Sequence, residues 1–306
     1  MTVLSHGLSW IDLEFLGRPQ AIAAGIVQGP DGVAIVDPGP STCLQTLERA
    51  LDRAGIRFGD VRALLLTHIH LDHAGAAGTI VRANPQMRVF VHERGARHLA
   101  DPGKLIDSAA RLYGDRMSSL WGEIAPVPAD NLVPLAGGER LEAGGRQFEV
   151  AYTPGHASHH VSYFDRSSGV AFVGDTAGIC IDGGYVLPPT PPPDVDVEAW
   201  RTSIERIEAW GPATLFLTHF GPAPSVGPHL QALVDHLETM AAQVRRTLDR
   251  PGSDEQRMQE FVAWLRAELR RNVPEARLAS YGVAAQHEHL WLGLARYWRK
   301  KDQGRD

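Results

Sequence analysis

Three imidazoles and a carboxylate fall within six residues, His68-Ile69-His70-Leu71-Asp72-His73, directly after the apolar run Ala63-Leu64-Leu65-Leu66-Thr67. A fold that accepts this segment has to bury a strand up to Leu66 and release it, at a sheet edge, into a turn lined with metal-competent side chains. The pattern HxHxDH arises by chance in about one chain of this length in several hundred, so an accidental polar loop is a poor account of it. Residues two apart in an extended or turning backbone project to the same side, which lets His68 and His70 grip one ion. Asp72 and His73 open a helix expected from Asp72 to about Val81, whose positive N-terminal end favours a carboxylate or a bound oxyanion, and they can turn toward a second ion. Neutral imidazole and carboxylate suit zinc, iron or manganese. The two cysteines, Cys43 and Cys180, are far apart, which argues against a cysteine-zinc site.

Four ligands from one loop do not complete two metal shells, so further His and Asp residues are expected at other strand ends. Phe148 to Tyr152 reads as a strand and leads into Thr153-Pro154-Gly155-His156, where Pro and Gly mark the turn that presents the imidazole. Val170 to Val173 runs into Gly174-Asp175, and Thr214 to Leu217 runs into Thr218-His219. Each alone reads as readily as an ordinary turn; in series after HxHxDH they read as ligands.

The ordered set Asp37 (in Val36-Asp37-Pro38-Gly39), HIHLDH, TPGH, GD and TH resembles the metallo-β-lactamase superfamily, in its hydroxyacylglutathione hydrolase-like and lactonase-like branch, over roughly residues 8 to 222. The resemblance implies an αββα sandwich: two mixed β-sheets packed face to face, helices outside, metals at one edge. It implies that His68, His70 and His156 hold one divalent ion, that Asp72, His73 and His219 hold another, and that Asp175 bridges them. Asp37 would hydrogen-bond the metal-bearing loops and orient their ligands. Zinc is the first expectation, with iron or manganese as alternatives. Two such ions, two carboxylates and one bridging hydroxide carry a net charge of about +1, which favours build-up of negative charge. The expected reaction is attack of that hydroxide on an ester, thioester or lactone carbonyl, with Asp72 holding the hydroxide and taking up its proton. A rival of another class is an iron-dependent, persulfide dioxygenase-like oxidoreductase on the same scaffold. β-Lactamase and RNA-processing nuclease activity fit less well, since neither cysteine falls at a motif position and no RNA-binding insertion is visible.

At 306 residues and 43% hydrophobic, the chain can bury a full core. Short strand-like runs (Ala34-Ile35-Val36, Ala63 to Leu66, Val89-Phe90-Val91) alternate with helical ones such as Ser41 to Ala54, an α/β rhythm. A catalytic domain over 1–222 and a C-terminal helical appendage over 223–306 are expected, the latter from helical spacing of Leu230, Leu233, Leu237 and Met240, of Phe261, Leu265 and Leu269, and of Leu290 to Trp298. An insert at 101–130, with a helix over Leu105 to Trp121, is expected as a lid or pocket wall; ordinary helix packing or a homodimer contact would explain it as well. Tyr185, in a stretch stiffened by prolines up to Pro193, is a candidate to hydrogen-bond substrate or oxyanion. His159 and His160 read as helix-start residues or supports of the ligands, and His287 and His289, two apart on a helix, point to different faces.

The N-terminus shows no basic stretch followed by an apolar one, and no segment approaches a membrane span, so a cytoplasmic protein is the default expectation. Net charge of −6 without long single-sign runs disfavours nucleic acid as partner and leaves a small-molecule substrate. The basic residues gathered late in the chain, such as Arg270, Arg271 and Arg299, read as solvated helix faces.

Overall fold

The computed structural model describes residues 1–304. Seven strands form the first sheet, in sequential order: β1 (Thr2–Ser5), β2 (Leu8–Asp12), β3 (Ala23–Gly29), β4 (Gly32–Val36), β5 (Val61–Leu65), β6 (Arg88–His92) and β7 (Leu132–Leu135). β1 to β4 pair antiparallel and β4 to β7 parallel. The second sheet runs β13 (Gly221–Ala223), β12 (Thr214–Leu217), β11 (Val170–Phe172), β10 (Val161–Asp165), β9 (Arg146–Tyr152), β8 (Arg140–Ala143), with only β11 and β12 parallel. These are the two mixed sheets that the motif pattern implied.

The side-chain period of two divides each strand of the first sheet between two cores. Ala34, Val36, Ala63, Leu65 and Phe90 face inward onto Phe148, Val150, Val161 and Phe172 of the second sheet. Val33, Ile35, Leu64, Leu66 and Val89 face outward onto Leu47, Leu51, Ile80 and Leu99. Those last residues lie on α1 (Leu44–Arg53), α3 (Ala77–Ala83) and α4 (Glu93–Ala100); the one-turn helix α2 (Leu71–Ala74) comes between α1 and α3 in the chain. Burial on both faces explains why β4 and β5 read as continuous apolar runs rather than alternating ones.

Two expected helices are broken, each for a local reason. The helix expected from Asp72 to Val81 divides into α2 and α3, because the backbone of Gly39 inserts there: its amide donates to His73 O (3.1 Å) and its carbonyl accepts from Ala76 N (2.9 Å). The helix expected over Leu105 to Trp121 divides into α5 (Gly103–Tyr113) and α6 (Met117–Trp121), with Gly114 at φ +53° between them, a conformation open to glycine at little cost.

On the far side, α7 (Val197–Ala209) covers the second sheet, its N-terminus capped by Asp196, which accepts from Ala199 N at 2.9 Å. The tail comprises α8 (Val226–Leu248), α9 (Asp254–Asn272), α10 (Glu275–Ala284) and α11 (His287–Gln303). Its Leu230, Leu233, Phe261, Leu265, Trp291 and Leu294 belong to the same contiguous core as Ile179 and Leu187 of the segment after β11. No helix among the described residues is long and apolar enough to cross a membrane.

Candidate metal centre

The two sheets are joined by hydrogen bonds at one edge, where the strand ends meet. Val161 N donates to Thr67 O (2.8 Å), Ala23 N donates to Thr218 O (2.8 Å), and the buried Tyr163 hydroxyl donates to Leu66 O (2.8 Å). Losing such a buried partner costs about 1–3 kcal/mol, so the backbone beside the HIHLDH turn is held in place by contacts from both sheets. Glycine permits the other two turns. Gly155 has φ +137°, and a Cβ there would lie 2.3 Å from Trp200 Cβ; Gly174 has φ +46°, and a Cβ there would lie 2.5 Å from Thr67 Oγ1.

The seven candidate ligands from four chain segments converge. His68, His70 and His156 bring ligand atoms within 4.8 Å of one another, and so do Asp72, His73 and His219, and His68, His73 and Asp175. Asp175 turns one oxygen to each of the first two groups: Oδ2 is 3.4 Å from His156 Nε2, while Oδ1 is 3.2 Å from His73 Nε2 and 3.5 Å from His219 Nε2. Asp72 Oδ2 is 3.4 Å from His219 Nε2.

Each ring is held from behind. His156 Nδ1 donates to Pro189 O (2.8 Å), His219 Nδ1 to Ala21 O (2.6 Å) and His73 Nδ1 to Asp37 Oδ2 (2.8 Å). With Nδ1 so engaged, Nε2 faces the centre and is the nitrogen left for a metal. Asp37 is fully buried and ties three segments together: its Oδ1 accepts from Thr67 N (2.8 Å), and its Oδ2 accepts from the hydroxyls of Thr67 and Thr218 (both 2.7 Å) as well as from His73. This is the loop-orienting position that the motif order implied.

The donors fit two divalent ions. His68 Nε2, His73 Nε2, His219 Nε2 and Asp175 Oδ1 are buried without any hydrogen-bond partner, and His70 Nδ1 and His156 Nε2 face each other at 2.9 Å. Orphaned acceptors of this kind are costly unless a cation gathers them, and imidazole with carboxylate is the donor set of zinc, iron and manganese. The charge states differ across the centre. Burial, aided by neighbouring imidazoles, holds His68 well below the usual histidine range and His70 down to about 4, so the first trio is neutral. Burial also lowers His73 and His219, but Asp175 and Asp72 outweigh it, with Asp37 adding to the effect on His73, and both imidazoles end above the usual range. Burial likewise disfavours ionised Asp72 and Asp175, yet His73 foremost and then His219 hold both below the carboxylate range. Without metal the second trio is an internal ion-pair cluster.

A cavity of about 590 Å³ opens over the centre and is lined by His70, Asp72, His156, Asp175 and His219. The 101–130 insert lines one wall through Leu105, Leu112, Tyr113 and Trp121, and the tail lines another through Ala284 to Gln286 and His289. The tail contribution was not visible in the sequence, although His289 packs its ring on Tyr113 (centroids 5.3 Å apart). Tyr185 lies elsewhere and requires a correction: it is absent from the cavity lining, and its ring stacks on His236 with centroids 4.0 Å apart. The cause is a backbone bridge between Ile179 and Leu187, which folds the intervening segment against α8. Tyr113 is the tyrosine that lines the cavity, and Pro189 and Pro191 to Pro193 of the Pro-rich stretch line it too.

His159 and His160 do not start a helix. His159 borders the cavity beside His70, and His160 is fully buried under His68 (centroids 4.9 Å), its Nδ1 beside the hydroxyls of Thr153 (3.0 Å) and Thr176 (3.1 Å). Thr67 and Thr218 also contribute, each through its hydroxyl on Asp37. The dipeptide Thr-His at the end of two apolar runs was the available signal.

A model of the metallo-beta-lactamase superfamily matches residues 17–219. The chain is 29% identical to the metallo-beta-lactamase fold-containing protein ST1585 of Sulfurisphaera tokodaii over 180 residues, which is 58% of this chain and 65% of that protein. It is 25% identical to a hydroxyacylglutathione hydrolase of Synechococcus sp. over 78% of this chain and 83% of that one. Among solved structures, the metallo-beta-lactamase family protein TTHA1429 from Thermus thermophilus superposes with a TM-score of 0.73 at 24% identity, covering 98% of this chain and 95% of that chain. TTHA1623, solved in a di-iron-bound form, gives 0.52 at 27% identity over 67% of this chain and 90% of that chain.

Proposed function

The chain belongs to the metallo-beta-lactamase superfamily, and on that premise we propose that it is a dinuclear metal-dependent hydrolase that cleaves an ester, thioester or lactone carbonyl of a small-molecule substrate. The observation that carries this reading is Asp175, which offers one oxygen to each of two ligand groups, and the inward nitrogens of His68, His73 and His219 are buried without a hydrogen-bond partner. Zinc is the proposed metal, and iron or manganese would suit the same donors. His68, His70 and His156 would hold one ion, Asp72, His73 and His219 the other, with Asp175 between them. Bound there, the ions supply Lewis acidity and a water that ionises near neutral pH, so no serine or cysteine nucleophile is required.

The chain's own residues do the remainder. Asp72 is the more open carboxylate, its side chain 20% exposed against 5% for Asp175, so it is placed to hold the attacking water and take its proton on a carboxylate oxygen. Asp37, Ala21 O and Pro189 O keep His73, His219 and His156 turned the right way. The walls formed by the insert and the tail surround the substrate and limit the water that reaches it.

The test is a hydrolysis panel of thioesters, lactones, aryl esters and β-lactams on protein of measured metal content, with dioxygen uptake followed in parallel. Hydrolysis of an ester, thioester or lactone without oxygen uptake supports the proposal. Oxygen uptake with a persulfide substrate by an iron-loaded protein, and no hydrolysis, overturns it in favour of a dioxygenase.

A further inference from the structure

Five cations line the cavity over the metal centre: Arg94 and Arg97 on α4, Lys104 and Arg111 on α5, and Arg116 just beyond. Outside the metal ligands a single carboxylate, Asp194, faces the same space, and it accepts from the Ser158 hydroxyl (2.5 Å). In a chain of net charge −6 this is a local reversal of sign. None of the five forms an ion pair with a carboxylate among the described residues, whereas cations elsewhere do so readily, as Arg277 does with Asp182 (2.5 Å) and Arg299 with Asp254 (2.7 Å). Their nearest partners are neutral. Arg94 lies over the Tyr152 ring (5.7 Å), Arg97 donates to His98 Nε2 (3.2 Å), and Arg116 donates to Gln286 Oε1 (2.8 Å), which joins the insert to the tail across the cavity.

The same cavity also has an apolar lining. Phe15 and Trp121 stack there (centroids 5.6 Å, planes 11° apart), flanked by Leu105, Leu112 and Leu290. Like charges without counter-charges, gathered along one cavity, are arranged for an anionic ligand: they repel one another until it enters, and they raise its local concentration. Guanidinium groups in particular match carboxylate and phosphate geometry.

Resting on the hydrolase reading, we infer that the substrate is an ester or thioester that is anionic away from its carbonyl, carrying two or more negative charges as phosphate or carboxylate. Arg94, Arg97, Lys104 and Arg111 bind that anionic portion, and the Phe15/Trp121 wall receives the apolar portion.

The test compares one acyl group on three thiols, using the metal-loaded protein: the neutral N-acetylcysteamine, the carboxylate-bearing glutathione, and the phosphate-bearing coenzyme A. The same comparison is made on the triple variant Arg97→Gln, Lys104→Gln, Arg111→Gln, with circular dichroism to establish that it is folded and metal analysis to establish that it is loaded. The wild type is expected to favour at least one anionic thioester over the neutral one by about 10- to 1000-fold in kcat/KM, the range of electrostatic focusing, with the preference falling steeply as salt rises. The triple variant is expected to lose most of that preference, its kcat/KM falling about tenfold or more further on the favoured anionic thioester than on the neutral one. The arm that is favoured identifies carboxylate or phosphate as the anion. Equal kcat/KM on all three thioesters, or an equal loss on all three in the variant, overturns the inference.

Calorimetric binding of coenzyme A and of glutathione separates this failure from failure of the hydrolase reading. Binding that weakens tenfold or more in the variant, in a protein that hydrolyses nothing, upholds the anion site and refutes the hydrolase. Hydrolysis without preference, and without such binding, does the reverse.

Discussion

Replacing Asp37 by Asn perturbs the centre without replacing a metal ligand. The carboxylate accepts four hydrogen bonds: from Thr67 N on Oδ1, and from the Thr67 and Thr218 hydroxyls and His73 Nδ1 on Oδ2. An amide has only one acceptor oxygen, so one side must change. If the NH₂ group replaces Oδ2, the two hydroxyls can rotate to accept, but His73 must switch tautomer. Its proton then moves to Nε2, the atom 3.2 Å from Asp175 that would hold the second ion. Disturbing a group behind a metal-bound histidine costs about 10- to 100-fold in metal affinity, or roughly 1.4–2.8 kcal/mol. If instead the NH₂ replaces Oδ1, it faces Thr67 N–H and leaves a buried backbone donor unpaired, which costs about 1–3 kcal/mol of stability. Asp37→Asn is therefore expected to lose affinity for one of its two ions or to unfold at lower denaturant concentration. Calorimetric metal titration, elemental analysis and urea unfolding read both. A variant that binds both ions with wild-type affinity and unfolds at the wild-type midpoint would refute the role assigned to Asp37.

Metal binding to the apoprotein should release protons, because Asp175 and Asp72 raise both His73 and His219 above the usual histidine range and a cation has to displace the proton they favour. The sign follows: affinity at this trio rises with pH, whereas the neutral first trio, with His70 at about 4, releases none. Titration in two buffers of different ionisation enthalpy should show net proton release on binding, and proton-neutral binding at both sites would contradict the charge assignment. Tyr185→Phe should change kcat/KM by less than about twofold, since the ring lies on His236 outside the cavity; a tenfold loss would return it to the reaction. Truncation after residue 225 should yield an aggregating or inactive protein, because it removes Leu230, Leu233 and Trp291 from the common core and His289 from the cavity wall; a soluble, monomeric, equally active product would show that the tail serves neither.

The residues at the strand ends were readable because metal ligation restricts residue type and the turns that present His156 and Asp175 need Gly155 and Gly174. Asp37 was readable by its order in the motif set, though not its bonds to Thr67 and Thr218, which join residues 30 and 181 positions apart. What escaped was set by long-range packing. The division between α2 and α3 depends on the backbone of Gly39, far away in sequence. Tyr185 sits among the right residue types for a pocket, but one backbone bridge decides which way the segment faces. The tail carries ordinary amphipathic helices, and nothing in their periodicity says that the junction of α10 and α11 meets the insert over the metal centre. The cations of α4 and α5 are unremarkable along the chain and become significant only once the fold places them in one cavity without counter-charges.

The central claim is two metal ions, one held by three imidazoles and the other by two imidazoles and the Asp72 carboxylate, with Asp175 shared between them. A crystal grown from metal-loaded protein, with data collected on both sides of the absorption edge of the bound metal, locates the ions without reference to activity. Two anomalous peaks are expected, one among His68, His70 and His156 and one among Asp72, His73 and His219, each touching a different oxygen of Asp175. A single peak in a fully loaded, active protein would contradict the account.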